Sequence, residues 1–387
     1  MTSKPFSRII AQALYDAAAS VITNVPGFGG TQVFDAYCDI AGQPAVPCFH
    51  EEIAYSLAHG ASLAGKRSAA LLKGHGLAKA ANSVVDSLSA GTTAGFVVLV
   101  FDDKYSRHSD SILNVSSMLR GLGIPFHRLR GASVYHEVLN AFMRSEMVQL
   151  PIALLITADD LLTAKTYSPT PLIHPELRFE RNVAQHVLSP LTAGHQHRIL
   201  NAKLNNEQWD RIPAPELPSL PYSLPPEWQD MIRPYQAFFD AFRHVRSDIV
   251  TGDTGVTSLF AFSPYDCIDI CTYMGGSIPL ALGAYLAGYT DVWALTGDFS
   301  FIAAGHLGLA EALQRRIPLK LVIFHNSQAQ TTGGQAIPSG VLETILKGYE
   351  DFVVSIENPH DSIRVMQALV DVKEADALRI VVVEYDT

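Results

Sequence analysis

The stretch from Leu295 to Gln335 reads LTGDFSFIAAGHLGLAEALQRRIPLKLVIFHNSQAQTTGGQ. An apolar run of strand length, Val292 to Thr296, leads into it and ends in Gly297-Asp298. Leu307, Leu309 and Leu313 then fall at helical spacing, and a second apolar run, Leu319 to Phe324, ends in His325-Asn326. Two strands joined by a helix predict a parallel βαβ unit. Such a unit sets Asp298 and Asn326 side by side at the carboxyl ends of neighbouring strands, where open parallel sheets bind ligands. A carboxylate, an amide oxygen and nearby carbonyls form a hard-oxygen set suited to Mg²⁺ holding a diphosphate. The amides of Gly297, Phe299 and Ser300, at the start of the following helix, would add an anion cradle. An aspartate helix cap and a strand-end asparagine in any doubly wound fold would give the same spacing, so the rest of the chain must decide.

The whole chain sets bounds on that reading. Its 387 residues suffice for two domains of ordinary size. The composition, 48% hydrophobic and 17% charged, is that of a globular enzyme. With a net charge of -10 and no basic run longer than two residues, a nucleic-acid partner is not expected. An anionic ligand would need local amides and a metal, because the overall field opposes it. Cys38, Cys48, Cys267 and Cys271 form no CxxC pair. This argues against a disulfide scaffold, a zinc ribbon or an iron-sulfur cluster and fits a cytoplasmic setting. Residues 6 to 23 alternate as an amphipathic helix without a signal-like apolar core, and the longest apolar runs, such as Phe96 to Phe101, are too short to span a membrane.

Further stretches bear on the site. Val25-Pro-Gly-Phe-Gly-Gly30 predicts a tight turn in which Gly27 allows close backbone approach, ahead of a helix near Thr31. A short strand from Val46 is expected to deliver His50-Glu51-Glu52 to a helix rich in small residues, followed by the turn Lys73-Gly74-His75-Gly76. Gly95 to Asp103 predicts an apolar strand ending in Asp102-Asp103, with Arg107-His108-Ser109 beyond it. Between about 166 and 232 prolines cluster and periodicity fades, which predicts a long connector. The spacings of its His174, His186, His195 and His197 do not match a metal set on a helix face. After it come Gly252-Asp253-Thr254-Gly255 and the run Cys271-Thr272-Tyr273-Met274-Gly275-Gly276, with Pro279 and Gly283 following.

Together these motifs resemble those of thiamine-diphosphate enzymes acting on 2-oxo acids, closest to indolepyruvate ferredoxin oxidoreductase α chains, with a two-domain layout similar to phosphonopyruvate and sulfopyruvate decarboxylases. The resemblance implies an α/β fold of two doubly wound parallel-sheet domains, a pyrimidine-binding domain over 1–165 and a diphosphate-binding domain over 233–387, joined by the Pro-rich connector 166–232. It implies thiamine diphosphate and Mg²⁺ as cofactors, with Asp298, Asn326 and the carbonyl of Gln328 on the metal. Glu51 becomes the residue that touches N1′ of the aminopyrimidine, although Glu51 and Glu52 would also favour a helix N-terminus electrostatically. Met274 becomes the prop that bends the cofactor, Thr272 supplies a carbonyl to its 4′-amino group, and Gly27, Thr254, Gly255, Gly297, Phe299 and Ser300 line it. His75 and His108 are acid-base or substrate-binding candidates. The expected reaction is non-oxidative decarboxylation of a 2-oxo acid to an aldehyde through an enamine on the cofactor. Carboligation, or service as a partner-dependent oxidoreductase subunit, are the alternatives. The chain has no cysteine-rich ferredoxin tail, and Ala303-Ala304-Gly305 replaces the family's HSG. A homodimer or dimer of dimers is expected, with Glu51 and Asp298 meeting across the interface.

Overall fold

The computed structural model describes residues 2–129, 133–157, 160–161, 163–170 and 177–385. It divides into two compact units, residues 1–180 and 181–387. In the first unit a two-stranded antiparallel ribbon pairs β1 (Thr2–Pro5) with β7 (Ala164–Tyr167). The main sheet holds β2 (Val21–Asn24), β3 (Ser68–Lys73), β4 (Phe96–Asp102), β5 (Phe126–Arg128) and β6 (Ile152–Thr157). Its order is β2-β3-β4-β6-β5 and every pairing is parallel. Every residue of β4 is buried, as expected for a strand covered by helices on both faces. The helices Phe6–Asp16, Gly30–Ala41 and Val134–Val148 pack on one side, their Ile9, Leu14, Val33, Val138 and Phe142 meeting Leu71, Leu99 and Leu154 of the sheet.

The second unit carries a six-stranded sheet of β8 (Ile249–Gly252), β9 (Ile270–Cys271), β10 (Val292–Gly297), β11 (Lys320–His325), β14 (Val353–Ile356) and β15 (Arg379–Glu384). Its order is β14-β15-β11-β10-β8-β9, again all parallel. A short antiparallel hairpin, β12 (Gln328–Ala329) with β13 (Gln335–Ala336), follows β11. Phe238, Phe239 and Phe242 of the helix Gln236–Val245 pack against Trp293, Phe324 and Phe260 to form the aromatic centre of this unit.

Four local expectations differ from what is observed. The amphipathic pattern over 6 to 23 ends as a helix at Asp16, because Ala18 turns left-handed (φ 51°) and the β-branched Val21-Ile22-Thr23 pair with β3. Val46 to His50 forms no strand, only extended loop tied to β2 by Cys48 N–H on the Asn24 carbonyl. Leu313 is exposed, because residues 301 to 305 form a π-turn that rotates the following helix, Leu307–Arg315. Residues 181 to 232 are not a bare tether: Val183, Val187, Leu220, Leu224 and Ile232 enter the core of the second unit. There, Arg181 and Arg246 both bind the buried Asp269 carboxylate.

Candidate active site

The residues singled out in the first half of the chain converge at the carboxyl ends of β2, β3 and β4. A pocket of about 230 Å³ there is lined by Val25, Pro26, Glu51, Lys73, His75 and His108, among others. Glu51 opens the helix Glu51–Leu63, where a carboxylate suits the helix dipole. Its Oε2 accepts from Lys79 Nζ at 2.9 Å, and its methylene lies so close to Gly76 that a Cβ there would sit 2.8 Å from Glu51 Cγ. Glu52 turns the other way. It accepts from Ser83, and burial pushes its carboxyl above the usual range. Gly27 sits beside the Lys73 side chain, where a Cβ would fall 2.8 Å from its Cδ.

The histidines are held by the loop after β4. Asp103 accepts the backbone N–H groups of Arg107 at 3.0 Å and His108 at 2.7 Å. Burial opposes ionisation, but these amides outweigh it and hold the Asp103 carboxyl below its ordinary range. The His108 ring stacks on Phe28 at 3.7 Å between centroids, its carbonyl accepts from Lys73 Nζ, and His75 Nε2 pairs with Ser111 Oγ at 2.9 Å.

In the second unit, β8, β9, β10 and β11 lie next to one another and their carboxyl ends carry the other candidates. Asp253 follows β8, is 1% exposed, and accepts from Ser277 N–H at 2.8 Å and from the Thr296 hydroxyl. Burial raises its pKa to about 6. Thr254 and Gly255 follow it; Gly255 takes φ 144°, and a Cβ there would meet nothing within 4 Å. Thr272 after β9 is buried, whereas the side chain of Met274 is 39% exposed and so presents an apolar surface. Gly275 (φ 88°) closes that turn, 2.7 Å from the Ala304 Cβ if it carried its own.

Asp298 follows Gly297 at the end of β10 and is held by three backbone amides. Its Oδ1 accepts from Phe299 N–H at 2.7 Å; its Oδ2 accepts from Asn326 N–H at 3.0 Å and Ser327 N–H at 2.7 Å. Burial nevertheless pushes its pKa up, with those amides and His325 pulling the other way. The nearest basic side chain among the described residues is His325, whose Nε2 is 3.9 Å away and whose Nδ1 pairs with Glu384 at 2.8 Å. Asn326 follows β11, and the hairpin after it engages the carbonyls of Ser327 and Ala329, on either side of Gln328. A buried carboxylate short of positive charge, an amide oxygen and a turn carbonyl are donors that fit a hard divalent cation. Ser300 is buried and Phe299 is 41% exposed.

Sequence reasoning missed Lys79, Tyr235, Asp253 and Gln330, whose links to the site are made by folding. His186 is buried on the helix Val183–His186, and His195 and His197 lie on Ala193–Leu204; His174 lies outside the described residues. No helix among the described residues is long and apolar enough to cross a membrane.

Residues 252–380 match the thiamine pyrophosphate enzyme, C-terminal TPP binding domain. The indolepyruvate oxidoreductase subunit IorA of Methanothermobacter marburgensis is 31% identical over 155 residues, 38% of this chain and 24% of that protein. The corresponding subunit of Archaeoglobus fulgidus is 26% identical over 165 residues, 38% of this chain and 26% of that protein. The match thus spans about a quarter of the length of these curated relatives. Among solved structures, a protein from Mycobacterium smegmatis described as a thiamin diphosphate-dependent enzyme superposes with a TM-score of 0.67 at 14% identity, covering 98% of this chain and 99% of the other. The thiamine diphosphate-dependent 4-hydroxybenzoylformate decarboxylase of Rhodococcus jostii RHA1 gives 0.66 at 16% identity, covering 99% of each. The chain has the fold of these two solved proteins, and one third of it, residues 252–380, matches the C-terminal TPP binding domain of thiamine pyrophosphate enzymes.

Proposed function

We propose that the chain catalyses non-oxidative decarboxylation of a 2-oxo acid, with an aldehyde as product, using thiamine diphosphate and Mg²⁺. The observation that carries this reading is the buried Asp298 carboxylate beside Asn326 at adjoining strand ends, inside the matched TPP-binding region. The cofactor when bound supplies the electron sink for the carbon left behind by carbon dioxide. Asp298, Asn326 and the Gln328 carbonyl would hold the cation, and the amide of Ser300 would face the diphosphate, the Phe299 amide expected beside it being taken up by Asp298 Oδ1. Glu51 holds a proton at the N1′ ring nitrogen. Its pairing with the exposed Lys79 is of a kind worth no more than about 1 kcal/mol, so it is readily given up. Met274 offers an apolar prop, and Thr272 a carbonyl to the 4′-amino group. His75 and His108 orient the substrate or move its proton. Lys73 and the Asp103 amide contacts keep the His108 loop in place.

A second reading rests on the IorA similarity: a thiamine-diphosphate subunit that passes electrons to a partner bearing iron-sulfur clusters. Carboligation stays open as a fate of the same substrate carbon. We also propose a homodimer or dimer of dimers in the cytoplasm, the latter in keeping with four buried cysteines that form no disulfide. The test is a panel of 2-oxo acids incubated with the purified chain, Mg²⁺ and thiamine diphosphate, with carbon dioxide measured and products identified by mass spectrometry. Aldehyde release by the chain alone supports decarboxylation, acyloin supports carboligation, and turnover only with an added cluster-bearing partner and electron acceptor supports the second reading.

A further inference from the structure

We propose that Tyr235 and Gln330 are positioning residues that fix the side-chain amide of Asn326 with its oxygen, not its nitrogen, available to the cation; this rests on the function proposed above. Asn326 Nδ2 donates to Tyr235 Oη at 2.7 Å and to Gln330 Oε1 at 3.1 Å, which occupies both of its N–H groups. The Tyr235 hydroxyl donates in turn to Gln330 Oε1 at 2.8 Å, so the three groups close a ring. On the other side, Asn326 Oδ1 accepts the backbone N–H of Gln328 at 3.2 Å. That N–H cannot change polarity, whereas a turned amide would set its NH₂ against it. The oxygen has two lone pairs, so the Gln328 N–H leaves one for a cation.

Tyr235 is well placed for this role. It is 2% exposed, and its ring is held against Tyr385 at 4.5 Å and Phe324 at 5.9 Å between centroids. Its hydroxyl is pushed up to about 12, mainly by burial, so it stays a neutral donor and acceptor through the working pH range. The residue lies three positions beyond the Pro-rich stretch 166–232 and 91 positions from Asn326 in sequence.

The experiment is a Mn²⁺ titration of the full chain with saturating thiamine diphosphate, following free Mn²⁺ by electron paramagnetic resonance. Removing a partner of a metal ligand commonly weakens metal binding about 10- to 100-fold, and Tyr235→Phe should fall in that range. Gln330→Leu, at a partly exposed position, should lower affinity in the same direction and covers the case in which Tyr235→Phe does not fold. In an Asn326→Asp background either carboxylate oxygen can serve, so adding Tyr235→Phe should cost less than about twofold. A wild-type-like affinity in both variants, or an equal loss with and without Asn326→Asp, would overturn the positioning role alone. Wild-type chain that binds no Mn²⁺ would overturn the cofactor reading and this inference together.

Discussion

The backbone N–H of Ser327 donates to Asp298 Oδ2 at 2.7 Å, joining two strand ends 29 residues apart in sequence, and Ser327 adopts a left-handed φ of 55° where it does so. The carboxylate thus both builds the turn after β11 and offers charge to a cation. In Asp298→Asn an NH₂ would face backbone N–H groups, leaving a buried donor unpaired at about 1–3 kcal/mol. We expect urea unfolding to show that loss, and Mn²⁺ titration with thiamine diphosphate to show weakened binding as well.

Gly275 is fixed by its φ of 88° and by Ala304, whose Cβ would lie 2.7 Å from an added methyl. Gly275→Ala should destabilise the chain by about 1–3 kcal/mol and displace Met274, which precedes it. Chemical denaturation measures the first effect. A fall in cofactor affinity beyond that seen with Ala304→Gly, which removes the nearest atom, measures the second.

Asp253 gives a pH signature. Its native pKa of about 6 exceeds the ordinary aspartate value of 3.8, so the native state binds a proton that the unfolded state releases over that interval. Its contribution is fully present below pH 3.8 and is lost as pH rises through about 6. Asp253→Asn keeps an acceptor for Ser277 N–H, and the Thr296 hydroxyl can donate instead to the Gly297 carbonyl at 3.2 Å. Stability of the variant relative to wild type should therefore rise by about 2 kcal/mol between about pH 4 and pH 7. Equal pH dependence of unfolding in the two proteins would refute the assignment.

Glu51→Gln tests the first unit. The lost pairing with Lys79 should cost no more than about 1 kcal/mol, and cofactor should still bind. Turnover of the best 2-oxo acid should drop by about 10²–10⁴-fold, the range of a removed acid-base group. Steady-state kinetics beside a melting curve separates the two effects, and a variant with wild-type turnover would remove Glu51 from the chemistry.

The strand ends were readable because buried parallel strands leave long apolar runs, and the residues just beyond each run must lie at one edge of a sheet: Asp298, Asn326 and Asp103 were placed that way. The π-turn after Ser300 was not readable, since Phe301 to Gly305 carries an ordinary helical composition and the extra residue appears only in the hydrogen bonding. Tyr235 was hidden for a different reason. Its neighbours are chosen by tertiary packing, and a tyrosine beside a run of phenylalanines reads as core. Lys79 likewise sits in a short helix, Gly74–Lys79, whose direction from β3 decides that it meets Glu51.

Isothermal titration of the purified chain with thiamine diphosphate, with and without Mg²⁺, tests the central claim most directly. The account predicts saturable heat that requires Mg²⁺, disappears on chelation, and is strongly reduced in Asp298→Asn. No heat at saturating Mg²⁺, or binding indifferent to both chelation and Asp298→Asn, would contradict it.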